Sequence, residues 1–376
     1  MRKGTQCVHS GTIKDDLFGG VNSPVYTSTA FGYLDRSPVS YPRYFNTPNQ
    51  QAVVEKVCAL EGAEDGVLFS SGMAAISSSL LTFAGSGDHV VMMDELYGGT
   101  HAFATNEFPR YGIACSFTGT DADAICGAVN ERTKVIVIES PTNPLLSVVD
   151  IRKVAAFARQ RNIVTVIDNT FATPIHQNPI GLGIDVVVHS GTKYLGGHSD
   201  ICCGIAVTSR DHAARIRKTS LSLGGSLNAQ TCSLLELSLL TLGIRVERQT
   251  QNAGRIATYL QEQGGVGRVH YPGLAGSAYH ELAKAQMSGF GAMLSFELTG
   301  GQAKADRFVR SLRIIKPAVS LGGVESTICA PAVTSHAKMS AAERARIGIS
   351  DALLRLSVGI EQVDDLIEDI GQAMKA

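Results

Sequence analysis

Four short apolar runs, each closing on a polar cluster, constrain this 376-residue chain more than any other feature. HVVMM (89–93), KVIVIE (134–139), NIVTVID (162–168) and DVVVH (185–189) are rich in β-branched residues. Such nearly continuous runs read as strands buried on both faces. Helical patterns such as IRKVAAFARQR (151–161) lie between them. Strands alternating with helices imply an α/β fold with a mostly parallel sheet covered on both sides. Ligands in such a fold bind beyond the carboxyl ends of the strands. Here those ends are Asp94-Glu95-Leu96-Tyr97-Gly98-Gly99, Glu139-Ser140-Pro141-Thr142-Asn143-Pro144, Asp168-Asn169-Thr170 and Ser190-Gly191-Thr192-Lys193. One such ending is ordinary loop chemistry; four on one edge make a candidate site.

Residues 1–50 are proline-rich with little periodicity and read as an irregular arm. QAVVEKVCALEG then places Val54, Val57, Cys58 and Glu61 on one helical face, with Gly62 as a C-terminal stop. A large domain is expected over 51–235 and a smaller α/β domain over 236–376, bridged by one long helical stretch from 229. The smaller domain has strands near 292–298 and 353–360 and a final amphipathic helix carrying Val363, Leu366, Ile367, Ile370 and Met374. In LLRLSVGIE, Leu354, Leu356, Val358 and Ile360 share one apolar face. Arg355 points the other way, and a bidentate arginine suits a carboxylate.

Net charge is −1 and basic residues are scattered, which speaks against nucleic acid or an anionic membrane as partner. No run approaches the ~18 apolar residues of a membrane span. MRKGTQCVHSGT has no apolar signal-peptide core. The eight cysteines form no CxxC pair, so a reducing, cytoplasmic setting is expected. Cys7, Cys58, Cys115 and Cys126 read as packing thiols. His101, His198 and His336 have no convincing zinc spacing and no HExxH exists, so no metal is expected.

FSSGMAAISSSLLTF (69–83) opens a helix at Ser-Ser-Gly, and a helix N-terminus suits a phosphate. No GxGxxG and no GxxxxGK[ST] is present, which disfavours dinucleotides and P-loop nucleotides. The remaining parts fit pyridoxal 5′-phosphate. Lys193 can form a Schiff base with its aldehyde. Asp168 can keep its ring nitrogen protonated. Ser190, Thr192 and the Ser71-Gly72-Met73 turn can hold its phosphate, and Tyr97 can stack on its ring.

With those residues assigned, the chain resembles the Cys/Met-metabolism, or transsulfuration, family of pyridoxal-phosphate enzymes. The resemblance runs nearly end to end through YPRYFN (41–46), SSGMAA (70–75), LYGGT (96–100), ESPTNP (139–144), DNTFATP (168–174), HSGTKYLGGHSD (189–200), SLGGVES (320–326) and LLRLSVGIE (353–361). It implies a fold-type-I, aspartate-aminotransferase-like architecture. It implies a dimer with shared sites, usually paired into a homotetramer, in which Tyr41 and Arg43 bind the phosphate of the neighbouring subunit. Gly72 and Met73 would give backbone N–H groups to the phosphate, and Asn143 would meet the phenolic oxygen. Lys193 and Tyr97 would be catalytic, while Ser320 and Arg355 would bind the substrate α-carboxylate. Two departures and one match stand out beside these blocks. The usual Asn-Pro-Thr is here Asn46-Thr47-Pro48. Ala102 stands where cystathionine-using members carry arginine. Glu325 matches the acidic residue of cystathionine γ-lyases and γ-synthases. The expected activity is γ-elimination from cystathionine, methionine or a related amino acid. γ-Replacement on an O-activated homoserine and β-elimination from cystathionine are the alternatives.

Overall fold

The computed structural model describes residues 1–335, 337 and 340–376; His336 lies outside the described residues. Seven strands form the larger sheet: β1 (Asp65–Phe69), β2 (His89–Met93), β3 (Ala114–Thr118), β4 (Thr133–Glu139), β5 (Val164–Asp168), β6 (Val186–Ser190) and β7 (Gly204–Thr208). Their order is β1-β7-β6-β5-β4-β2-β3. β7 runs antiparallel to both neighbours, and every other pairing is parallel. The fold is α/β with a mostly parallel central sheet. β2 and the central part of β4 are buried throughout, which is why these runs carry no polar alternation.

The helix Pro48–Glu61 begins with a capping box, Thr47 against Gln50, with Pro48 in its first turn. The Asn46-Thr47-Pro48 order therefore serves as a helix start. Gly62 ends this helix at φ +76°, a conformation that favours glycine. The helix Gly72–Phe83 packs on the opposite face. Gly72 abuts Ser190, whereas Glu61 reaches His189. Adjacent strand residues point to opposite faces, so the two helices cover the two sides of the sheet.

The second sheet has β8 (Val266–His270), β9 (Met293–Leu298), β10 (Lys316–Pro317), β11 (Thr327–Cys329) and β12 (Leu353–Ser357) in the order β10-β11-β12-β9-β8. β12 is central, so both of its faces are buried. It ends at Ser357, and Ile360 is 40% exposed rather than on the buried stripe. Beyond the strand, the backbone of Gly359 lies so close to the Val324 carbonyl that a Cβ there would sit 2.3 Å from it. The Ile360 N–H then bonds the same carbonyl, and the chain leaves the strand path.

The single helix expected from 229 is two, Ala229–Leu240 and Leu242–Gln261. The buried Arg245 guanidinium explains the break. It takes the Ser238 carbonyl at 2.9 Å and the Tyr194 carbonyl at 2.9 Å, so a side chain occupies the acceptor that the helix ladder would use. Position 235 falls inside the first of these helices.

Candidate active site

A cavity of about 560 Å³ opens at the carboxyl ends of β2, β4, β5 and β6. Ser71, Gly72, Met73, Tyr97, Asn143, Asp168, Ser190, Thr192, Lys193, Ser320 and Arg355 all line it. Residues separated by up to 284 positions thus meet: the parallel strands deliver their ends to one edge, and β12 of the second sheet brings Arg355 against them.

Lys193 leaves β6 in a turn whose N–H returns to the Ser190 carbonyl, and its Nζ donates to Ser320 Oγ at 2.7 Å. Burial, then the Arg355 guanidinium, lowers the Lys193 pKa from the ordinary lysine value. The amine is therefore easier to obtain in its neutral, nucleophilic form. Ser320 holds φ +77°, a costly conformation for a non-glycine residue and one that marks functional sites.

Arg355 is only 4% exposed. Its two Nη groups donate to Asn143 Oδ1 at 2.8 Å and to the Ser320 carbonyl at 3.2 Å. Its Nε is buried without a partner, an arrangement that leaves a donor for an incoming acceptor.

Asp168 ends β5 and accepts the Thr170 N–H at 3.0 Å. Burial raises its pKa; Thr170, His189 and Lys193 pull it down. A cationic ring nitrogen would pull it down further.

The start of helix Gly72–Phe83 is pressed against the strand ends. A Cβ at Gly72 would lie 2.8 Å from Ser190 Cβ, and one at Gly204 would lie 2.2 Å from the Ser71 carbonyl. Ser71 caps the helix by accepting the Ala74 N–H at 3.1 Å. The N–H groups of Gly72 and Met73 belong to the first turn, where no helix carbonyl can take them. A phosphorylated aldehyde fits these residues: an anion at the helix start, a lysine for the aldehyde, and a buried carboxylate opposite.

Three of the expected residues do not line this chain's cavity, and two of them, Tyr41 and Arg43, were expected at the neighbouring subunit's site rather than here. Tyr41 and Arg43 do not line this cavity; Arg43 Nη1 bonds the Leu221 carbonyl of its own chain. Glu325 lies outside the lining and accepts from Ser199 Oγ at 2.6 Å. Thr192 Oγ1 is engaged with the backbone of Cys203, accepting its N–H at 3.0 Å. His198 bonds the Gly196 carbonyl at 2.7 Å, and the His101 ring stacks on Phe117 at 4.4 Å. Among the described residues, no group of three His, Cys, Asp or Glu side chains is placed to hold a metal.

Sequence reasoning did not single out the layer beneath the cavity. Glu61 is fully buried against His189, with Oε1 2.7 Å from His189 Nε2. The same oxygen accepts from Asn169 Nδ2 at 2.8 Å. Gln177 Nε2 donates to Asn169 Oδ1 at 2.9 Å and to the Ser140 carbonyl at 2.7 Å. This network fixes the ends of β4, β5 and β6 from the far face. Its one legible signal was the invisible partner problem of a glutamate on an otherwise apolar helical face.

The fold and the lysine-centred cavity define a fold-type-I pyridoxal-phosphate enzyme. The chain belongs to the family of Cys/Met metabolism PLP-dependent enzymes, whose model matches residues 4–375. It is 41% identical to a cystathionine gamma-lyase of Bacillus subtilis, over 100% of both chains. It is 42% identical to a cystathionine beta-lyase of Lactococcus lactis subsp. cremoris, over 99% of this chain and 98% of the relative. The solved structure of metB from Corynebacterium glutamicum superposes with a TM-score of 0.96 at 36% identity, covering 100% of this chain and 98% of that one. The cofactor is pyridoxal phosphate, and the protein falls among the carbon–sulfur lyases that act on small amino acids.

Proposed function

We propose that the enzyme catalyses γ-elimination from cystathionine or a related sulfur amino acid, consuming one water and giving a 2-oxo acid, ammonia and a thiol. The unpartnered Nε of Arg355, in the cavity that holds Lys193, carries the amino-acid part of this reading. Pyridoxal phosphate supplies a carbonyl that condenses with amines and a ring that accepts electrons from the substrate.

The chain's residues do the rest. Arg355 and Ser320 bind the substrate carboxylate. Asp168 keeps a proton at the cofactor's ring nitrogen, and Asn143 donates to its phenolic oxygen. Ser190 and the N–H groups of Gly72 and Met73 hold the phosphate, with Ser71 capping the helix they open, and the Thr192 hydroxyl, donating to the Cys203 carbonyl at 3.2 Å, braces the loop beside it. Tyr97 stacks on the ring. Lys193 Nζ, released when substrate binds, takes the proton from the substrate Cα. Once it has given that proton up, the same Nζ takes a second one, from Cβ, before the γ-substituent departs.

β-Elimination is the second reading, favoured by the 42% identity to a β-lyase, and γ-replacement by a transferase is the third. The deciding measurement is mass spectrometry of 2-oxo acids after adding L-cystathionine alone to the holoenzyme. 2-Oxobutyrate supports γ-elimination and pyruvate replaces it with β-elimination. The absence of any oxo acid moves the search to methionine and to activated homoserines with a thiol.

The working form is a dimer with shared sites, paired into a tetramer, with Tyr41 and Arg43 completing the neighbour's phosphate site. In support, the arm exposes Leu17, Phe18, Val21, Tyr33 and Leu34, with Val21 92% exposed. Mixed oligomers of Arg43→Ala and Lys193→Ala subunits then regain activity; mixing without rescue refutes the shared site. All eight cysteines are free thiols, which supports a cytoplasmic setting. No helix among the described residues is long and apolar enough to cross a membrane.

A further inference from the structure

We propose that Glu139 is a positioning residue that joins two walls of the active site, one carboxylate fixing both the Tyr97 ring and the Asn143 amide. The inference rests on the reading of Tyr97 and Asn143 as cofactor contacts. Glu139 closes β4 and lines the cavity, yet is only 5% exposed. Its two oxygens are divided between two loops. Oε2 accepts the Tyr97 N–H at 2.8 Å, and Oε1 accepts the Asn143 N–H at 3.0 Å.

From Asn143 the path continues around the cavity. Asn143 Oδ1 accepts from Arg355 Nη1 at 2.8 Å, Arg355 Nη2 reaches the Ser320 carbonyl at 3.2 Å, and Ser320 Oγ accepts from Lys193 Nζ at 2.7 Å. The stacking ring, the carboxylate-binding arginine and the reactive lysine are thereby referred to one buried group. Tyr97 most needs such an anchor. Its side chain is exposed, it opens the helix Gly98–Asn106, and that helix has no side-chain cap there.

A carboxylate of glutamate length is the fitting group. Each oxygen takes one backbone N–H, so the ionised form meets both donors. Burial and the neighbouring Asp168 push the Glu139 pKa well above the ordinary carboxylate value, and the two N–H donors are the groups that favour its ionised form. Glutamine keeps one acceptor and turns an NH₂ toward the other N–H. Aspartate keeps the charge and lacks a methylene of reach. Both substitutions therefore release one wall, for different reasons.

The test compares holoenzymes of wild type, Glu139→Gln and Glu139→Asp by three readouts: visible circular dichroism of the bound cofactor, the rate of cofactor loss, and the thermal midpoint. Both variants are expected to lose at least half of the visible dichroism and to release cofactor about tenfold faster. A variant of either kind that keeps the wild-type dichroism and release rate overturns the proposal. Retention in Gln alone would make the residue a filler, and retention in Asp alone would make it only a charge. Should neither variant fold, hydrogen exchange on wild-type holoenzyme decides. The Tyr97 and Asn143 amides are expected to exchange at least a hundredfold more slowly than unbonded loop amides, and unprotected amides overturn the clamp. Tyr97→Ala separates the two layers of inference. If it leaves the visible dichroism unchanged, the stacking role has failed, and the clamp then stands or falls on the exchange of its two amides.

Discussion

Glu61→Leu tests whether the layer beneath the cavity holds the strand ends. Glu61 and His189 have side chains 0% and 1% exposed and stand 2.7 Å apart. Leucine removes the acceptor of His189 Nε2 and one of the two acceptors of Asn169 Nδ2, whose bond to the Gln177 carbonyl remains, so two buried N–H groups are left unmet. Each orphan costs about 1–3 kcal/mol, and breaking a buried pair by removing one partner costs about 3–5 kcal/mol. The two routes agree on roughly 3–5 kcal/mol. Glu61→Gln keeps one oxygen for those donors and turns an NH₂ toward Asn178 Nδ2, so it costs only about 1–3 kcal/mol. The double variant Glu61→Leu/His189→Leu removes both ends of the pair and is expected to be no less stable than Glu61→Leu alone. A large cofactor-bound protein seldom unfolds in two states, so the assay is the unfolding rate in denaturant, followed by far-ultraviolet dichroism and cofactor absorbance. Three kcal/mol lost from the native state appears as an acceleration of about a hundredfold if the network is absent from the transition state. An effect of Glu61→Leu below about 1 kcal/mol, or a double variant that loses the sum of both singles, refutes the reasoning.

Arg355→Leu removes the charge that, after burial, most lowers the Lys193 pKa, so that pKa rises. The pH midpoint for capture of pyridoxal phosphate by apoenzyme then moves upward, and kcat/KM falls roughly ten- to hundredfold with the lost charged hydrogen bond of about 1.5–3 kcal/mol; a downward midpoint contradicts the assignment. Burial holds His176 at a pKa of about 4, below its ordinary 6.5. The folded state therefore binds fewer protons than the unfolded one, and stability is lost as pH falls from 6.5 toward 4. His176→Gln flattens that acid limb in a pH series of thermal midpoints, and an unchanged slope contradicts it. Cys202 is exposed and lines the cavity, whereas the other seven cysteines are buried or half-buried. Brief iodoacetamide treatment of apoenzyme should label Cys202 first by peptide mass spectrometry, and bound cofactor should slow it; preferential labelling elsewhere contradicts the placement.

The strand ends were legible because β2, β4, β5 and β6 are each a run of apolar residues stopped by chemistry. β1, β3 and β7 were harder to see. β1 has a glycine at its second position, β3 is only half-buried, and β7 opens with a glycine and runs antiparallel. The break at Thr241 was hidden because the Arg245 side chain that takes the Ser238 carbonyl is held there by carbonyls 51 and 50 residues away, at Tyr194 and Leu195. Glu61 was visible as a helix-face residue, but its partners lie 108 and 128 positions on. Local pattern places a carboxylate on a face and carries no information about which distant donors meet it.

The period of two along a strand explains why the cavity and the hidden layer are built from the same short motifs. Asp168 lines the cavity, while Asn169 turns to Glu61. Ser190 lines the cavity, while His189 turns to Glu61. Glu139 lines the cavity, while the Ser140 carbonyl is taken from below by Gln177. Each strand end supplies one group to the chemistry and the next to the support. The motif is therefore read in pairs, because shifting a strand end by one residue would exchange the two sets. A carboxylate meant for a cofactor nitrogen would then face the buried Glu61, and an imidazole meant for Glu61 would enter the phosphate site.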